Sequence, residues 1–142
     1  MKAPILTLSL LSLLALAGCQ HLDPAYARDW VQAAPTAPSS LDLAGTWEST
    51  RPYMAGGWGS ADITQTGTRF HGTLGPFTLE GKVAGSKAYT LILSGGRVYY
   101  TAILEVDAKG DLVGQAVSNA LPDSPEAARA EHAPVHLVRT KR

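Results

Sequence analysis

Of the four histidines in the chain, His132 and His136 lie four positions apart beside Glu131, the spacing at which a helix presents two imidazoles to one metal ion. Pro134 stands between them and is incompatible with that helix. Neither the pair nor a wider set including His71 and Glu131 is therefore expected to hold a metal. A hydrolytic triad needs a serine, a histidine and an acid converging in a cleft, whereas the histidines here fall in loops or on outward strand positions, His71 facing Glu80. No glycine-rich phosphate loop or nucleophile elbow follows a strand and opens a helix. The chain reads as a non-enzyme with no catalytic residues and no cofactor. The side chains left with chemistry to offer are apolar. Tyr53, Met54 and Trp58 sit in the glycine-rich stretch 49–59, where they are placed to line the mouth of a small apolar pocket. The alternative is that these rings fold back and plug the space.

The elements that must position them are strands. From Leu43 onward, short alternating runs are punctuated by glycine at intervals of about eight to twelve residues, the pattern of an all-β barrel or sandwich. Eight runs fit: Ala44–Ser49, Ser60–Thr66, Arg69–Leu74, Phe77–Ala84, Lys87–Ser94, Arg97–Asp107, Asp111–Ser118 and Pro134–Lys141. Consecutive hairpins would close them into an eight-stranded antiparallel up-and-down β-barrel, with a short helix from Ser124-Pro125-Glu126 to about Glu131 before the last strand. Directly opposed hairpin residues share a face. The turns at Gly67-Thr68, Gly75-Pro76, Gly95-Gly96 and Asp107–Gly110 then send Ile63, Phe70, Leu74, Phe77, Leu79, Leu91, Leu93, Val98, Tyr100, Leu104, Val106 and Leu112 inward together. A three-residue turn at Gly85-Ser86-Lys87 is needed to bring Tyr89 to the same face. Outside, Ile92, Tyr99 and Ile103, with Val113 and Val117, form an apolar patch on the fifth to seventh strands. It is a candidate surface for a partner or for self-association, or a seat for a brief helix at 25–34.

Charge balances, with 12 Lys+Arg against 12 Asp+Glu, so no basic field draws nucleic acid. Lys2 followed by the apolar run Ile5–Ala17 has the form of a secretory leader, too short for a spanning helix. The residues after it, Leu16-Ala17-Gly18-Cys19, resemble the lipobox of bacterial lipoproteins. The resemblance implies that 1–18 is a signal peptide, that Cys19 becomes the first residue, and that its sulfur and amine are acylated. Each buried methylene then contributes about 0.8 kcal/mol, and several chains give stable anchoring where one does not. Gln20, in place of an aspartate, implies sorting to the outer membrane. Residues 19–42, with Pro24, Pro35, Pro38, Ser39 and Ser40, read as a flexible lipid-anchored tether, and 43–142 as the barrel domain.

Gly45-Thr46-Trp47 near the start of the first strand, with Arg139 near the end of the last, resembles the signature of the calycins, the lipocalins and avidins. The resemblance implies a closed barrel end where Trp47 packs beneath a basic side chain, Arg139. The long connections 49–58 and 119–133 then both fall at the opposite, open end. Fold resemblance does not carry ligand identity. The expected function is that of an outer-membrane lipoprotein presenting a small barrel to the periplasm, binding a small apolar ligand or an envelope protein. The other readings are an inhibitor lipoprotein, since Ser94–Tyr99 faintly resembles the Ser-Gly loop of lipoprotein lysozyme inhibitors, and a purely structural envelope role.

Overall fold

The computed structural model describes residues 22–141; the leader and Cys19 lie outside them. Eight antiparallel strands close into a barrel in sequence order: β1 (Gly45–Ser49), β2 (Ser60–Thr66), β3 (Arg69–Leu74), β4 (Phe77–Ala84), β5 (Lys87–Ser94), β6 (Arg97–Val106), β7 (Leu112–Ser118) and β8 (His132–Lys141). The short helix expected before β8 is a 3-10 helix, Pro125–Arg129, which ends two residues before Glu131. Among the described residues the one α-helix, α1, spans Pro24–Gln32.

Closure works because each strand turns one apolar side inward. Ile63, Phe70, Leu74, Leu79, Val83, Leu104, Leu112, Val135 and Leu137 form one buried cluster with Trp47. Phe70 needs a glycine opposite it. A Cβ at Gly81 would stand 2.4 Å from the Phe70 ring, so the small residue lets the ring lie across the sheet.

Strand β5 departs from expectation. The turn before it is the two-residue Gly85-Ser86, with Ala84 paired to Lys87 and Gly85 at φ +59, a conformation glycine adopts without a Cβ penalty. That one-residue difference inverts the strand. Ala88, Thr90 and Ile92 point inward, opposite Val83, Gly81 and Leu79, while Tyr89, Leu91 and Leu93 point outward. A bulge at Tyr99 then restores β6: Leu93 pairs with Val98, but Ile92 pairs with Tyr100. Tyr100, Ala102 and Leu104 keep the inward face expected of them, and Val98 alone is turned out.

The outward residues of β5 are covered by α1. Asp23 caps the helix by accepting from Ala25 N at 3.0 Å, and Pro24 occupies the first turn, where its missing N–H costs nothing. Ala27 and Val31 then pack on Leu91, Leu93 and Val98 as a second buried cluster. At the other end of the helix, Lys82 Nζ donates to Ala34 O at 3.0 Å and Gln32 O at 3.4 Å, placing a cation at the negative end of the helix dipole. The segment read as a tether is thus largely docked. Beyond α1, Ser39 Oγ donates to Gly85 O. Gln65 then ties the chain across the barrel bottom, its Oε1 accepting from Leu43 N and its Nε2 donating to Leu41 O.

Candidate functional site: the open mouth of the barrel

The β1–β2 connection arches over the open end. Ser49 Oγ accepts from Trp58 N at 3.1 Å and from Arg51 N at 3.4 Å, drawing the two ends of the loop together. Between them Tyr53–Ala55 form a 3-10 turn closed by Gly56 in the left-handed conformation. This geometry sends Trp58 down and leaves Tyr53 and Met54 up.

Trp58 is 7% exposed. Its ring meets Tyr100 at 5.2 Å and Phe77 at 5.9 Å between centroids, both edge-on, and its Nε1 donates to Pro134 O at 2.8 Å. Edge-to-face pairs of this kind contribute about 0.5–1.5 kcal/mol beyond area burial. Trp58 is therefore both the plug of the barrel and part of the border of its mouth, where Tyr53 and Met54, the other two residues expected there, stand exposed. Met54 is 93% exposed. Tyr53 leans its edge on Phe77 at 6.2 Å, and Tyr99 approaches the same ring at 6.3 Å. Above the plug lies a recess of about 380 Å³ bordered by Tyr53, Met54, Trp58, Phe77, Tyr100, Ala133 and Pro134. Burial first, then the nearby charges of Glu131 and Tyr53, raise the Tyr100 phenol above its ordinary value, so its hydroxyl remains a neutral donor at the floor.

At the closed end the Arg139 guanidinium lies 4.2 Å from the Trp47 ring centroid. The Trp47 indole N–H donates to Leu43 O at 3.0 Å, and Arg139 Nη1 donates to Ala44 O at 2.6 Å. These two residues, placed together in the sequence reading, are brought together as a packing unit. A recess of about 520 Å³ nearby is bordered by Ser40, Asp42, Lys109 and Arg139. It is larger than the mouth and Leu41 and Val106 also border it, but Asp42, Lys109 and Arg139 make it the more polar of the two.

The expected outer patch does not form. Ile92 is 1% exposed in the interior cluster. Ile103 is half-buried, and Tyr99 belongs to the mouth. Val117 is covered by Ala120 and Ala127 of the β7–β8 connection. Likewise Glu80 lies opposite His71, but its carboxylate accepts from Arg28 Nη2 at 2.8 Å. The hydrogen bond and charge of Glu80 raise the Arg28 pKa.

His132 and His136 do not converge: His132 Nε2 contacts Ala127 O at 2.6 Å, and His136 Nε2 contacts Asp111 Oδ2 at 2.8 Å. The sequence reading missed the trio Asp107, Asp111 and His136, whose side-chain oxygens and nitrogen lie within 4.8 Å of one another. Asp107 Oδ1 already accepts from Lys109 N and Asp111 N, so the trio is accounted for as the lock of the β6–β7 turn. No protein-family model, curated protein or solved structure matches the chain.

Proposed function

We propose that this chain is a non-enzymatic envelope lipoprotein, acylated at Cys19 and held at the outer membrane, whose barrel binds a small apolar molecule at its open mouth. The observation that carries the ligand reading is the aromatic recess above Trp58. Its volume of about 380 Å³ lies at the small end of ligand sites, and its border combines ring faces with the hydroxyls of Tyr53 and Tyr100. The lipobox-like Leu16–Cys19 carries the anchor, and Gln20 the membrane. A partner-binding role has lost the patch on which it was built, since Ile92 faces the core and α1 covers Leu91, Leu93 and Val98.

Native mass spectrometry of protein purified gently from its own envelope tests the ligand. A bound small molecule is expected, and Tyr53→Ala with Met54→Ala should release it without loss of fold, because both side chains are exposed. Trp58→Ala is the wrong probe, since truncating a buried tryptophan costs about 3–5 kcal/mol. Ligand-free protein, or retention unaffected by the double substitution, contradicts the reading. The anchor has its own test: Cys19→Ser should leave an unacylated precursor, and mature protein still partitioning with the outer membrane would count against acylation.

A further inference from the structure

The chain reaches the barrel at its open end. Leu22 pairs with Val98, next to the Gly95-Gly96 tip, and from there α1 runs toward the closed end, where Lys82 and Gly85 receive the chain. Only Gln20 and His21 separate Cys19 from Leu22, and three extended residues reach about 10 Å. The closed end stands far beyond that limit. The ten residues of β6 rise about 3.3 Å each, and with barrel tilt they put the two ends roughly 25 Å apart.

We propose that the open mouth faces the bilayer that holds Cys19, with Tyr53, Met54 and Tyr99 seated in its interfacial layer. The inference rests on the acylation of Cys19 proposed above. Those three are among the few large apolar side chains left exposed on the described surface, and Tyr53 and Tyr99 both pack on Phe77, so the exposed rings belong to one surface. Tyrosine suits it, having an apolar body and a polar tip that favour the boundary between lipid and water. Charge at this end is mixed, Arg51 and Arg97 being set against Glu126 and Glu131. Attachment therefore depends on the short link and the apolar contact rather than on a basic field. The recess then opens onto lipid rather than onto the aqueous space.

Acylation removes the only thiol, so Met54→Cys and Ala108→Cys each give the mature lipoprotein one free thiol, at the mouth and at the closed-end β6–β7 turn. Each variant carries a thiol-linked fluorophore in vesicles of phosphatidylethanolamine and phosphatidylglycerol. Quenching is measured with nitroxide-bearing lipid and with aqueous iodide. The proposal expects lipid quenching several-fold stronger at Met54 than at Ala108, and iodide quenching in the reverse order. Equal quenching at the two sites, or a preference for Ala108, overturns it. A Met54 label shielded from both quenchers would put a second copy of the chain on the mouth and also overturns it. The mass of the same sample separates the failures. Acylated protein with equal quenching refutes the orientation alone, while protein without acyl chains refutes the anchor and the orientation with it.

Discussion

Trp47 illustrates how one side chain can close a barrel. Its ring is fully buried among the inward residues of β1 and its neighbours, its N–H is satisfied by Leu43 O, and Arg139 covers its face. Trp47→Ala is expected to destabilise by about 3–5 kcal/mol, a large part of a small domain's stability, read as a lower urea midpoint. An unchanged midpoint would show that the closed end does not depend on the ring. Tyr100 sets a pH limit at the other end. Its phenol is raised above the ordinary value of about 10 by burial first, so the folded state holds this proton more tightly than the unfolded chain. The associated stability is present below pH ~10 and is lost as pH rises through the raised value. Tyr100→Phe should therefore flatten the alkaline decline in unfolding free energy between neutral pH and pH ~11; an identical decline in both proteins would contradict the assignment.

At the scale of elements, α1 is the outer wall of β5. Ala27 sits fully buried on Leu91 and Leu93, so Ala27→Asp places an unpaired charge there and should undock the helix. Hydrogen exchange is expected to rise across 22–34 and along the outward side of β5, while β2 and β3 amides stay protected. Protection unchanged in 22–34 would mean that α1 stays docked despite the buried charge.

This two-sided burial is also why β5 was the strand misread from sequence. Leu91-Ile92-Leu93 is apolar on both faces, as expected of a strand covered inside and out, so alternation could not choose its inward side. The choice fell to the turn, and Gly85-Ser86-Lys87 supports a two-residue or a three-residue connection with the same letters. Strands with one wet side, such as β2 with Ile63 in and Thr64 out, were legible from their period. Trp58 was legible as an aromatic of the open end, but its role as plug depends on Pro134 O, far away in sequence. The ties made by Gln65 and Lys82 leave no local pattern at all, because each joins a strand to a chain segment that has no period of its own.

For the whole molecule, the closed end, the helix wall and the turn lock are all built from satisfied contacts, with no orphaned polar side-chain atom among the buried groups of the described residues. The mouth differs: there rings and a thioether are left facing outward over a recess. The most direct test of a ligand-binding mouth is an amide chemical-shift titration of leaderless Cys19→Ser protein with monomeric dodecylphosphocholine, kept below its micelle concentration. The account predicts saturable shifts centred on Tyr53–Trp58, Phe77, Tyr99, Tyr100 and Ala133, abolished by Tyr53→Ala with Met54→Ala. Shifts that fail to saturate, or that centre on α1 and the outward side of β5, would contradict it.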